Sequence, residues 1–332
     1  MWIRLCGVLF VCLGLASLRS ASAQDAIDDP TTLESIEEFE DDPGAQMATA
    51  IDSGSVAAVR RLLDGGMSPD ILVYDEPAVQ YAIWGDHYYV VKLLVDRGAD
   101  VNSTGEDGFT SLMGAALVGN IRIAKFLLDK GADIDAVDKT YGLTVLQNAC
   151  DKESEAVFDL LVERGADIQH VDKHGGNCLE EAAFNGANSI AEKLRAKGLK
   201  TKWPLHVACG LGEMEQVNKL LAEGADASQA NDGWKNTPMH FAANNGHLAV
   251  AKLLKEQGAE VNAKNLLGAT PLHYAAENDD IAMTKWLLEQ GADINAADED
   301  GMTPRDWSGA EADEFLASKG AKYGEWADES GE

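Results

Sequence analysis

Apolar residues recur along this chain in paired short runs with helical spacing, separated by polar loops, rather than in the alternating pattern of a sheet. The stretch Thr270–Met302 reads as helix, turn, helix and a polar loop that hands over to Thr303-Pro304, where the same opening starts again. Thr270 suits an N-cap, because its hydroxyl can accept from a backbone N–H with no partner inside the helix. Pro271 suits the first helical position, where its missing N–H costs nothing. Gly291 suits the left-handed residue that closes the second helix. One such unit cannot hide its own apolar face, so it needs copies on both sides.

The copies are present. Helix-closing glycines fall at Gly66, Gly98, Gly131, Gly165, Gly198, Gly224, Gly258 and Gly291, at separations of 32, 33, 34, 33, 26, 34 and 33 residues. Apolar runs precede them, as at Val59–Leu63, Val91–Val95 and Ala124–Leu128. The opening of the unit is complete at Thr270–Ala275 (TPLHYA), nearly so at Thr237–Ala242 (TPMHFA), and lacks its threonine at Pro204–Ala208. It weakens at Thr110–Ala115 and Thr144–Ala149, and only its shape survives at Asn177–Ala182 and Pro77–Ala82.

This period and opening resemble the ankyrin-repeat family, whose unit of about 33 residues begins T-P-L-H-x-A. The resemblance implies an all-α repeat, an ankyrin-type α-solenoid of helix pairs with short β-hairpin fingers. The expected array covers residues 45–322: seven full units between a degenerate start (Gln46–Pro69) and a truncated, more polar end (Thr303–Gly320). The resemblance further implies that one face of each first helix lines a concave binding side. Fourteen positions on that face include Tyr81, Trp84, Leu117, Phe184, Phe241 and Tyr274, and five of them are aromatic in a chain with 7% aromatics. With the finger residues Phe109, Tyr141 and Trp234 these are the expected partner contacts, since Tyr and Trp offer apolar area plus a polar handle. Packing against neighbouring fingers is the competing expectation.

One link breaks the period. Gly258 to Pro271 and Gly291 to Pro304 each span 13 residues, whereas Gly198 to Pro204 spans 6. A finger is therefore missing, and Lys193, Arg195, Lys197, Lys200 and Lys202 cluster around the gap. This cationic island is expected either to be a distinct dock or to mark a unit shortened without consequence.

Charge narrows the partners. Lys and Arg number 27 against 56 Asp and Glu, a net charge of −29. That argues against nucleic acid or an anionic membrane, whose binding rests on basic residues, and permits a basic protein as partner; solubility alone is the competing reading. Residues 1–23 read as an export signal: Arg4, an apolar run Leu5–Leu18, and the small-residue site Ala21-Ser22-Ala23. An uncleaved anchor is the alternative. The mature chain is then expected in a periplasm or outside the cell, free of the membrane, with Cys150, Cys178 and Cys209 as its cysteines. Residues 24–44 carry nine acidic residues and no basic one, the pattern of a solvated linker, and 323–332 read as an acidic tail.

Candidate chemistry is sparse. His206, His240 and His273 occupy the family position whose imidazole bridges backbone and threonine groups between units, and His87 and His247 read as structural too. His170, Asp172 and His174 alternate as a metal set would, but Asp172 matches Asp138 and Asp298 elsewhere and so reads as a repeated turn residue. Cys150 and Cys209 sit where a small buried residue is needed, two units apart and too distant to bridge. No catalytic residue, metal or cofactor is assigned. The expected function is non-catalytic protein binding as a scaffold or accessory subunit, with an inhibitor or immunity protein against a basic toxin or enzyme as the alternative.

Overall fold

A computed structural model describes residues 42–151 and 154–324. The export signal, most of the acidic linker and nearly all of the tail lie outside the described residues. The described residues divide into two compact units, those within 1–115 together with 122–133, and those within 116–121 together with 134–332.

Among the described residues stand nine helix pairs. The first unit opens with α1 (Pro43–Asp52) and α2 (Val56–Asp64), then β1 (Leu72–Val73), β2 (Glu76–Pro77), α3 (Ala78–Trp84) and α4 (Tyr88–Asp96). Helix α1 begins inside the stretch read as linker, because the Asp42 carboxylate accepts the Gly44 and Ala45 N–H groups at 3.1 Å. Helices α5 (Ser111–Leu117) and α6 (Ile121–Asp129) give residues to both units. The second unit continues with α7 (Val145–Asn148), α8 (Glu155–Glu163), α9 (Cys178–Phe184), α10 (Asn188–Ala196), α11 (Pro204–Gly210), α12 (Met214–Ala222), α13 (Pro238–Asn244) and α14 (Leu248–Glu256). It closes with α15 (Pro271–Glu277), α16 (Ile281–Glu289), α17 (Pro304–Trp307) and α18 (Ala310–Ser318).

All eight periodic glycines adopt positive φ, between 84° and 101°. At each, the residue after the glycine donates its N–H back over the helix end, as Ala259 does to Leu254 (2.9 Å) and Ala292 to Leu287 (3.0 Å). This Schellman closure satisfies carbonyls the helix leaves open, and it needs a residue without Cβ strain in that conformation. At the other end Thr144, Thr237, Thr270 and Thr303 cap first helices, with proline following the last three. The core lies between the helices of each pair and between neighbours. Ile83, Val91, Leu94, Leu112 and Ile123 fill it in the first unit; Leu146, Phe158, Leu194, Met239, Leu254 and Leu287 do so in the second.

Fingers between units carry little strand. β1 and β2 pair antiparallel, and isolated bridges join Thr104 to Thr110 and Val137 to Thr144. Others are turns closed by one backbone bond, from Asp172 to Gly176, Asn231 to Asn236, Asn265 to Ala269 and Asp298 to Met302, at 2.8–3.0 Å.

Candidate functional site

Four of the fingers are shaped from inside by one side chain each. The carboxylate of Asp172 accepts the His174 and Gly176 N–H groups (2.7 and 3.0 Å), and Asp138 does the same for Tyr141 and Leu143. Asn265 and Asp298 repeat the arrangement. Asp172 is thus the turn residue its spacing suggested, while His170 Nε2 bonds the Gly142 carbonyl at 2.9 Å. Among the described residues no three His, Cys, Asp or Glu side chains are grouped to hold a metal ion.

Histidines tie three of the fingers to the preceding first helix. Thr237 donates its N–H to His240 Nδ1 (3.0 Å), which leaves Nε2 carrying the proton and bonded to the Ala269 carbonyl of the next finger (3.1 Å). His273 joins Thr270 to Met302 in the same way, and His206 reaches Asn236. Burial pushes all three imidazoles down to about 4, so they are neutral at pH 7 and serve as struts rather than bases. His247 reaches back to the Gly210 carbonyl at 3.0 Å.

The aromatic positions separate by burial. In the first unit Tyr81 is buried and donates its hydroxyl to Asp52 (2.9 Å). Trp84 and Phe109 are half-buried and stacked, with centroids 5.9 Å apart, and Trp84 Nε1 donates to Glu76 (3.1 Å). Burial, reinforced by the Asp107 charge and opposed by the Trp84 hydrogen bond, lifts the Glu76 carboxyl to about 7. In the second unit Leu117 is half-buried, whereas Phe241 (2% exposed) and Tyr274 (5%) are buried. Phe184 meets both of them edge-on, at 5.0 and 5.4 Å, and Asn265 Nδ2 donates to the Tyr274 hydroxyl at 2.8 Å. For Phe241 and Tyr274 the packing expectation therefore prevails over an exposed contact. The sequence shows them on the right helical face but not that their neighbours close over it.

The missing finger leaves no open gap. A Cβ on Gly233 would come within 2.0 Å of His174 Cβ, so the finger 231–236 lies directly on the finger 172–176. Trp234 packs on both Tyr141 and His174 at 4.9 Å, and all three are half-buried. Helices α9 and α13 approach across α11 because Gly210 has no side chain; a Cβ there would lie 2.3 Å from the Ala183 carbonyl. Asn245 Nδ2 crosses the same step to Ala183 and Phe184. Leu199 and Trp203 of the short link are buried.

The cationic island is largely neutralised. Lys193 pairs with Glu155 and Asp159 at 2.7 Å, which raises its own pKa; Arg195 pairs with Glu213 and Lys202 with Asp232. Lys197 and Lys200 are exposed. On a chain this acidic, carboxylates from adjacent units reach most of the cations.

Sequence reasoning missed a basic and aromatic patch in the first unit. The Arg122 guanidinium lies 3.7 Å from the Tyr88 ring centre and 4.9 Å from that of Tyr89, while Lys92 and Lys130 both face Phe126. Tyr89 is exposed. A sequence signal existed, namely two tyrosines one repeat ahead of an arginine, but it lies on second helices rather than on the first-helix face and fingers where contacts are expected.

Two matches to known families decide the lineage. Residues 112–202 and 205–298 match the family described as "Ankyrin repeats (3 copies)", and 85–128 match "Ankyrin repeats (many copies)". The chain belongs to the ankyrin-repeat family. Its fold class is the all-α ankyrin-type solenoid, a scaffold generally without catalysis, and the repeat supports a protein-interaction module. Among similar proteins is the human "Transient receptor potential cation channel subfamily A member 1", 27% identical over 191 residues, 52% of this chain and 17% of that protein. Another is the Oryza sativa subsp. japonica "Probable E3 ubiquitin-protein ligase XBOS33", 27% identical over 246 residues, 68% of this chain and 42% of its own. "Ankyrin repeat and SOCS box protein 5" of Bos taurus is 45% identical over 62 residues, 19% of this chain and 18% of its own. This ankyrin chain spans less than half the length of these relatives. No helix among the described residues is long and apolar enough to cross a membrane.

Proposed function

We propose that this ankyrin-repeat protein is exported and acts by binding another protein without catalysis. The observation that carries the reading is the set of half-buried aromatic groups on the fingers and on the first helix beside them. Trp84 with Phe109 serves in the first unit, and Tyr141, His174 and Trp234 in the second. Rings held by their neighbours yet open on one side give contact area at low entropic cost. Net charge of −29 supports a basic partner, drawn in by long-range attraction that salt weakens. The same charge suits the second reading, an inhibitor of a basic toxin or enzyme. A scaffold leaves its partner active, and an inhibitor silences it.

The test immobilises the mature chain, captures a partner, and repeats the capture with Trp84→Ala and Trp234→Ala. Loss of capture with the fold retained supports the reading. Capture unaffected by either variant dismisses these groups as the contact. Export is tested separately by the N-terminus of the purified protein, expected at Gln24; a retained Met1 in the cytoplasmic fraction refutes it.

A further inference from the structure

The second helices of the first unit carry a charge opposite to that of the chain. Residues 56–64, 88–97 and 122–130 hold seven Lys and Arg against three Asp, in a protein whose net charge is −29. Arg60, Lys92 and Lys125 each stand six residues before a closing glycine, in the consecutive second helices α2, α4 and α6. The next two units have Asp159 and Glu192 at that position. Ion pairs hold the three helices side by side: Arg97 reaches back to Asp64 (2.7 Å) and Lys130 to Asp96 (2.8 Å). Lys92 shares Asp96 with Lys130, so one carboxylate answers two ammonium groups. Arg60, Arg61 and Lys125 are exposed, and among the described residues no carboxylate pairs with them.

Rings interrupt the charge. Arg122 lies over Tyr88 and donates to the Tyr89 hydroxyl at 3.2 Å, and Tyr89 is 61% exposed. Neighbouring helices pack about 10 Å apart, so the row from Arg60 to Lys125 runs about 20 Å. About six extended residues cover that span. A segment that mixes carboxylates with apolar side chains suits both the cations and the rings.

Such a segment is attached to this unit. Residues 24–41 lie outside the described residues, and their sequence has eight acidic residues and no basic one, with Leu33, Ile36 and Phe39 among them. They join the fold at Asp42, the N-cap of α1, the helix paired with α2. Eighteen residues extend to about 60 Å, enough to reach the whole row. Tethering raises the local concentration to roughly millimolar, which an acidic partner in free solution must exceed.

We propose that the acidic segment 24–41 binds the basic face of α2, α4 and α6 in the same molecule, its carboxylates meeting Arg60, Lys92 and Lys125. Bound there, it masks a cationic face that otherwise attracts the acidic surfaces of other copies. The contact is electrostatic and weakens as salt screens it. Segment and face are the same whether or not residues 1–23 are removed, so the proposal stands apart from export.

The test couples carboxylates to amines in the full chain with a zero-length carbodiimide at micromolar concentration, then maps peptides from the monomer band. The expected result is amide cross-links from residues 25–41 to Lys92, Lys125 or Lys130, reduced about fivefold or more in roughly 0.5 M salt. Arg60→Glu with Arg61→Glu leaves those lysines in place and should cut the same cross-links about fivefold or more, with circular dichroism unchanged. A fluorescein-labelled polyglutamate peptide should bind about tenfold more tightly once the eight acidic residues are changed to Asn or Gln, because the tethered competitor is gone. Cross-links confined to a dimer band assign the face to a second copy and overturn the proposal. Equal polyglutamate binding with and without the eight acids leaves the face open to a partner's acidic segment and overturns it too. Absent cross-links, or ones spread evenly over the lysines of both units, do the same.

Discussion

Two stretches of the second unit solve one problem with different residues. At residues 237–302 the strut between a first helix and the next finger is histidine, His240 and His273. At residues 144–203 it is Gln147 and then Glu180. Gln147 imitates histidine: Oε1 accepts the Thr144 N–H (3.1 Å), and Nε2 donates to Asp172 and Gly176 of the next finger (3.4 Å). Glu180 accepts the Asn177 N–H (2.9 Å) and then a second donor, the Thr201 hydroxyl. The reason lies downstream. No finger follows Gly198, so no finger carbonyl awaits a donor, and an acceptor replaces the imidazole. The last unit agrees, for Asp306 accepts from Thr303 and Gly324 where the array ends. Gln80 of the first unit shows the failure case. The residue before its helix is Pro77, which has no N–H, and Gln80 Oε1 stays buried without a partner.

Acid should separate the two stretches most strongly. His206, His240 and His273 titrate near pH 4 when folded and near 6.5 when unfolded. Between these values the unfolded chain holds more protons, so stability is complete above about pH 6.5 and is lost as pH falls towards 4. Each histidine accounts for up to about 3 kcal/mol, giving a total of several kcal/mol. Burial holds the Glu180 carboxyl above its usual range, so its contribution improves as the pH falls. Hydrogen exchange at pH 7 and 5 should show residues 203–302 opening first in acid. His240→Gln should remove about a third of the pH slope. Uniform loss of protection across the second unit would refute the distinction.

Phe241→Ala comes next in size. The ring is buried against Phe184 and His206, and its removal leaves a cavity costing about 3–4 kcal/mol. Chemical denaturation should show a lower midpoint at unchanged slope. A midpoint equal to wild type would return Phe241 to the exposed contacts.

Trp84→Ala is expected to cost less stability, about 1–2 kcal/mol, since the ring is half-buried and stacks on a single neighbour. Partner affinity should fall tenfold or more if the ring is a contact. Calorimetric titration beside a thermal melt separates the two effects; equal affinity at lowered stability would assign Trp84 to packing.

Legibility in the sequence follows the range of the interactions. Helix ends were readable because a Schellman glycine and a capping threonine act within a few residues, and the family opening placed His240 and His273. The break at Gly198 was readable from spacing alone. Its consequence was not, because Trp234 on Tyr141 and Asn245 on Ala183 join units that are not consecutive.

The smallest effect tests whether the short link acts through charge at all. Lys202 pairs with Asp232 across a surface where both side chains are more than half exposed, so the pair contributes under about 0.5 kcal/mol. Its ammonium also sits 5.2 Å from the Trp203 ring centre, a second weak contact. Lys202→Glu together with Lys200→Glu should therefore shift the melting midpoint by no more than a degree or two. Partner affinity should stay unchanged, since the gap is filled by Trp234 and its neighbours rather than left open for docking. A marked loss of affinity at low salt that vanishes at high salt would restore the cationic island as a dock. It would also show that Lys197 and Lys200, exposed beside the filled gap, reach a partner that the aromatic cluster does not.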